Sequence, residues 1–273
     1  RVVLGLLVAI TIYLMMVSVV ARLILTLTYQ IQRPEADLAA YTAQSLAGER
    51  PEGLLATNLA IASFAVVCCV VMRWVVGMRP IWLASVTGRL RWGYLFACVG
   101  AAVVVFAVVQ AVLLGLAGAT FTPQAQFLTF LVVILLTSPL QAAAEEVFFR
   151  GYMLQALGSL TATPWIGILG TSLVFGMAHG SQSPALFVDR FAFGLLAGIL
   201  VMWTGGLEAG IGIHIVNNIL AFGLAGLTSS IAAARQISEL GWDRAALDVG
   251  TFAAIALVCW LLARRMRVRT TTV

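Results

Sequence analysis

The chain has 273 residues, 62% of them hydrophobic and 10% charged, whereas a water-soluble domain carries about 45–50% apolar and about 25% charged residues. That balance excludes a soluble globular domain, a disordered chain and a nucleic-acid binder. The net charge of +5 comes from 16 basic residues, all of them arginine, against 11 acids. On a membrane chain the placement of arginine sets orientation and requires no polyanionic partner.

A spanning helix needs about 20 mostly apolar residues, and that rule marks eight spans at roughly 2–27, 54–72, 93–117, 127–149, 164–179, 185–203, 207–227 and 248–263. The first run is too long for a signal-peptide core and reads as a retained helix. The fourth is predicted to continue past Arg150 to about Leu157, because Gly158 is the first plausible stop. Pro164 suits the first turn of the fifth. The expected fold class is therefore all-α: one polytopic helical bundle occupying residues 1–273. Its cysteines (Cys68, Cys69, Cys98 and Cys259) all lie in apolar runs and form no CxxC pair, so they read as small hydrophobes without disulfide or metal roles.

Charge then orients the bundle. Arg73, Arg79, Arg89 and Arg91 crowd the second connection, and Arg264, Arg265, Arg267 and Arg269 follow the last span. With an even number of spans these fall on one side, together with both termini, and the positive-inside rule makes that side cytoplasmic. Glu35, Asp37, Glu49, Glu52, Glu239, Asp243 and Asp248 gather on the other side.

Ionisable side chains at membrane depth cost about 2.5–3.5 kcal/mol on insertion scales and mark functional sites. Both histidines of the chain belong to this small set. In Glu145-Glu146-Val147-Phe148-Phe149-Arg150, Glu146 and Arg150 share a helix face and can pair, while Glu145 is turned about 100° away and is free to face a cavity. The same acids could instead simply neutralise Arg150 and lock two helices together. Phe175 and His179 share a face, as do His214 and Asn218. Taken singly, each histidine also reads as a packing residue or as interhelical glue. Taken together, a carboxylate and a histidine can deprotonate a shared water, while a second histidine and an amide can stabilise a tetrahedral oxyanion. Arg22, Asp189, Arg190 and Glu208 are expected to be snorkelling, neutralising or solvated groups.

Glu145-Glu146-x-x-x-Arg150, Phe175-x-x-x-His179 and His214-x-x-x-Asn218, in that order on successive apolar spans, resemble the three motifs of the CPBP (Abi) family of intramembrane proteases, which includes the type 2 CAAX prenyl endopeptidases. Phe193-Gly194 to Gly198, followed by Thr204-Gly205-Gly206-Leu207, resembles the family's approach to its third motif, and the likeness covers about residues 127–227. The resemblance implies a bundle of about eight membrane helices with Glu145 as general base, His179 assisting, and His214 and Asn218 forming the oxyanion hole. Glu146, Arg150 and Phe175 would support that site. Members have been described both as metalloproteases and as glutamate proteases. No HExxH occurs here, and a zinc site would need Glu145, His179 and His214 as its three ligands, which would consume the base. No cofactor is therefore firmly implied, and the glutamate-type reading is preferred.

The expected function is an intramembrane endopeptidase acting on a peptide or on a membrane-associated, prenyl/CAAX-like protein in a bacterial plasma membrane. Its expected partners are that substrate and the lipid bilayer, with no nucleic acid. The alternative is a non-catalytic scaffold or chaperone subunit docking a protein through the outer connection that holds Arg235, Glu239 and Asp243. A third reading, a transporter, would call for inverted repeats, and the sequence shows none. A protease further requires Glu145, His179, His214 and Asn218 to meet in one hydrated cavity, open to the cytoplasm or laterally to lipid.

Overall fold

The structure is a computed structural model describing residues 1–118 and 120–272. It is all-helical. The helices are α1 (Val2–Gln32), α2 (Leu38–Leu46), α3 (Pro51–Val71), α4 (Trp92–Ala117), α5 (Phe127–Glu146), α6 (Leu154–Gly158), α7 (Pro164–Met177), α8 (Pro184–Thr204), α9 (Glu208–Thr228), α10 (Ile231–Arg235) and α11 (Trp242–Arg265). Their starts follow local chemistry. Asp37 accepts a hydrogen bond from the Ala40 amide, and Thr163 and Ser183 each cap a helix that opens on proline. These are the ways to satisfy amides that have no intrahelical partner.

Among the described residues, seven helices are long and apolar enough to cross a membrane, making this a multi-pass integral membrane bundle. The fifth expected span, α7, has only 14 residues, about 21 Å of rise against a hydrocarbon core of about 30 Å. It therefore falls short of a full span. It is nevertheless packed tightly between α6 and α8. The short helices α2 and α10 lie in connections between the expected spans.

The predicted continuation of the fourth span is present. From α5 the backbone widens into a π-helical stretch, Val147–Met153, and then resumes as α6 to Gly158. π-Helical turns of this kind are frequent at functional sites, and this one begins directly after Glu145 and Glu146. Around it, Tyr13 stacks on Phe64 and Phe64 on Phe148, while Phe149 meets Phe175 edge-on. An aromatic wedge thus fills the centre of the bundle. The three buried cysteines, Cys68, Cys98 and Cys259, belong to the same apolar core.

The chain reaches α9 through an inner turn, Gly205 to Leu207, that sits inside the protein. Ser85 and Gly206 form an isolated antiparallel bridge, and Leu207 packs against Gly151, where an added Cβ would lie 3.3 Å from Leu207 Cδ1. This depth overturns the expected solvation of Glu208, which is fully buried. Its Oε1 accepts from the Arg91 backbone amide at 2.9 Å and from Arg91 Nε at 2.8 Å. A carboxylate so placed needs its cation, and the arginine-rich connection supplies it.

Candidate active site

The inner turn sets the register of the site. With Leu207 level with Gly151, six residues back along the α5 continuation lead to Glu145 and six residues beyond Glu208 lead to His214, in each case about 9 Å of rise. His214 consequently sits between the two glutamates. Its Nδ1 donates to Glu146 Oε1 at 3.0 Å, and its Nε2 lies 3.4 Å from Glu145 Oε2.

Glu146 and Arg150 are buried and pair at 3.0 Å, one helical turn apart. The guanidinium carbon of Arg150 lies 4.4 Å from the centre of the Phe175 ring, close enough for a cation–π contact. Glycine makes room for this pair. A Cβ at Gly210 would come within 2.7 Å of Glu146 Oε2, and one at Gly194 within 3.1 Å of Arg150 Nη2. Glu146 thus holds His214 from behind with a fixed carboxylate. Glu145, on the next position of the helix, is half-buried and faces open space.

That space is a cavity of about 620 Å³, and Glu145, Phe175, His179, His214 and Asn218 all line it. Side chains from three segments therefore converge as the motifs require. His179 lies two residues beyond the end of α7 and is the most exposed of the four polar groups. Its Nδ1 meets the Phe175 carbonyl at 2.8 Å. A carbonyl can only accept, so Nδ1 carries the proton and Nε2 keeps its lone pair. Measured from the turn between α6 and α7, Glu145 lies about 20 Å up one helix and His179 about 22 Å up the other. Their levels match because both helices spring from that shared turn, and because the first helix runs on to Gly158.

Asn218 donates from Nδ2 to Gln141 Oε1 at 2.8 Å. Gln141 was not among the residues singled out from sequence, although it lies four residues before Glu145 and so shares its face. Its single amide supplies one of the hydrogen-bond acceptors that orient Asn218. Asn217 also lines the cavity and donates to Asn218 Oδ1 at 3.3 Å.

The far end of the cavity corrects two expectations. Asp189 and Arg190, read as peripheral neutralising groups, form part of its wall. Arg190 Nη1 donates to Gln182 Oε1 at 2.7 Å, while Asp189 Oδ1 is buried without a hydrogen-bond partner. The wall here also includes Arg235, Ile237, Leu240, Arg244 and Asp248. These residues lie in and after the connection between α9 and α11. The cavity therefore extends toward the acid-rich face, opposite the arginine-rich connection, and not toward the cytoplasmic side, the first of the two openings expected from sequence. The physical reason is the inner turn: Gly205 to Leu207 and the segment around Leu83 close the bundle beneath His214.

Among the described residues, no three His, Cys, Asp or Glu side chains are disposed to hold one metal ion. His214 commits Nδ1 to Glu146 and His179 commits Nδ1 to the Phe175 carbonyl, so each ring offers the cavity its Nε2 alone.

Residues 124–220 match the family model described as type II CAAX prenyl endopeptidase Rce1-like. The "Uncharacterized protein YyaK" of Bacillus subtilis (strain 168) is 33% identical over 100 residues, 34% of this chain and 33% of that protein. The match thus spans about a third of the relative's own length. No solved structure matches the chain. All three motifs fall inside the matched segment, so over residues 124–220 this membrane protein is similar to the Rce1-like type II CAAX prenyl endopeptidases, as the motifs suggest.

Proposed function

We propose that the chain is an intramembrane endopeptidase of the glutamate type, hydrolysing a peptide bond of a membrane-associated substrate in a bacterial plasma membrane. The observation carrying this reading is that Glu145, His179, His214 and Asn218, from three separate segments, line one cavity of about 620 Å³.

In this reading a water lies between the Glu145 carboxylate and the His179 Nε2 lone pair. Glu145 takes its proton as the oxygen attacks the scissile carbonyl. Negative charge then develops on the carbonyl oxygen. With a proton on each ring nitrogen of His214, its Nε2–H and the second Nδ2 proton of Asn218, the first being held by Gln141, supply the stabilising hydrogen bonds. Collapse of the tetrahedral intermediate breaks the C–N bond, and Glu145 returns its proton to the leaving amine. Glu146, fixed by Arg150, keeps His214 turned so that Nε2 faces the cavity. No step is routed through a metal.

The positive-inside rule places the arginine-rich connection in the cytoplasm. Substrate would then reach the site from the opposite, acid-rich face. The deciding experiment is cleavage of a peptide library by the detergent-solubilised protein, comparing the parent with Glu145→Ala and His179→Ala. General-base catalysis contributes about 10²–10⁴-fold, so Glu145→Ala should lose at least a hundredfold in rate. Equal cleavage by all three proteins would refute the assignment, and a chelator should leave the parent rate unchanged.

A further inference from the structure

A second hollow, of about 600 Å³, lies on the arginine-rich side between the start of α4 and the end of α11. Arg89, Arg91, Arg267 and Arg269 line it together with Trp92 and Met266, and no acid does. Arg91 is spent on the protein itself. Its Nε and backbone amide donate to Glu208, and its Nη1 donates to the carbonyls of Thr204 at 2.9 Å and Arg269 at 2.7 Å. The last of these contacts ties down the segment after α11, which turns through a left-handed Arg267 with φ 50°. Arg89, Arg267 and Arg269 are exposed, and none of them meets a carboxylate within ion-pair distance among the described residues. Three like charges held around one hollow repel one another, and an anion placed among them relieves that repulsion.

The level of the hollow selects the anion. Both α4 and α11 are long and apolar enough to cross the membrane, so the space between their ends opens where hydrocarbon gives way to headgroups. Trp92 and Phe96, one turn apart on α4, are 59% and 65% exposed, with ring centres 6.1 Å apart. Exposed aromatic rings at this depth sit among lipid headgroups. Guanidinium groups take two phosphate oxygens at once through their planar fork of N–H donors. A soluble phosphate would use the arginines and leave the aromatic edge idle, whereas a phospholipid uses both.

From this geometry we propose that the hollow binds an anionic phospholipid of the leaflet on the arginine-rich side. Its phosphate lies between Arg89, Arg267 and Arg269, and its acyl chains descend along Trp92 and Phe96. This site is separate from the catalytic cavity and independent of the hydrolase reading. It reaches the rest of the fold through Arg91. A lipid that steadies residues 267–269 keeps the Arg269 carbonyl on Arg91, and Arg91 fixes Glu208 at the start of α9. Lipid bound here thereby steadies the inner turn from which His214 takes its height.

The test is native mass spectrometry of the whole chain in detergent, offered an equimolar mixture of phosphatidylglycerol and phosphatidylcholine with matched acyl chains. The expected result is at least tenfold preference for phosphatidylglycerol, falling to a ratio near one in Arg89→Gln/Arg267→Gln/Arg269→Gln and recovering in the corresponding triple lysine variant. Arg73→Gln/Arg79→Gln, which removes charge elsewhere on the same face, should keep the preference. A ratio near one in the parent, or one indifferent to the glutamine triple, would overturn the proposal. Equal loss in the Arg73/Arg79 variant would also overturn it, reducing the preference to the general potential of a basic face. A lysine triple that behaves like the glutamine triple would trace the loss to disturbed packing and have the same consequence. Excess glycerol phosphate should leave the lipid bound, and displacement would assign the hollow to a soluble phosphate ester instead. Phosphatidylglycerol should also raise the Tm of the parent and not that of the glutamine triple; an equal rise in both would refute the site.

Discussion

Replacing Arg150 with methionine removes the cation while roughly conserving length and packing. It leaves Glu146 fully buried, with Oε1 facing His214 and Oε2 already without a partner. Stripping one member from a buried ion pair costs about 3–5 kcal/mol, because the other charge stays in low dielectric uncompensated. The contact between the guanidinium and the Phe175 ring, 4.4 Å from its centre, is lost as well, a further contribution of about 0.5–2 kcal/mol. For 150–250-residue chains each kcal/mol shifts Tm by about 2–4 °C, so the ion-pair loss alone should lower Tm by roughly 6–20 °C. The double variant Glu146→Gln/Arg150→Met should recover most of this loss. The neutral amide keeps an acceptor for His214 Nδ1, and the unpartnered Arg150 Nε and Nη2 disappear with the guanidinium. Thermal unfolding of the detergent-solubilised protein, followed by a thiol-reactive dye that reports exposure of the buried cysteines, measures both variants. A single-variant cost below about 1 kcal/mol, or a double variant no more stable than the single, would refute the claim that Glu146 is held as a buried ion.

Gly210→Ala should destabilise by about 1–3 kcal/mol, the cost of overpacking, since its Cβ would press within 2.7 Å of Glu146 Oε2. Gly100→Ala, in α4 with nothing within 4 Å of its Cβ, should be neutral or stabilising by up to about 1 kcal/mol. A matched pair of melting curves distinguishes the two, and equal effects would contradict the close approach of α9 to α5. In a cysteine-free background, Ile237→Cys should react with a membrane-impermeant maleimide added outside intact cells, whereas Val86→Cys should not. The opposite pattern would reverse the proposed orientation of the cavity. Glu208→Gln should lower stability by several kcal/mol, because Arg91 would lose the carboxylate that accepts from its backbone and side chain. Arg91→Leu combined with it should restore part of that loss, which guanidinium unfolding can measure.

The bundle was legible because the membrane imposes one rule: every backbone amide must be satisfied within its own helix, and apolar length then marks the spans. The motif residues were legible because i,i+4 spacing defines a helix face whatever surrounds it. Glu146–Arg150 follows from spacing alone, as does the direction of Glu145 away from it. Gln141 escapes notice, and Asp189 and Arg190 read as neutralising or snorkelling groups, because nothing in their local sequence distinguishes a group on a cavity wall from one facing lipid or a neighbouring helix. Gln141 could have been found by continuing the Glu145 face back one turn.

Composition and period thus determined an all-helical membrane protein and which side chains share a helix face. Which faces meet was decided by tertiary structure. The inner turn from Gly205 to Leu207 starts α9 below the level of His214, turning Glu208 from a surface acid into a buried partner of Arg91. It also sets His214 between two glutamates and closes the cavity on the arginine-rich side. Sequence spacing carries rotation about a helix axis, but the height of one helix against another depends on where the connecting turns lodge, and that is fixed by packing between segments far apart in the chain.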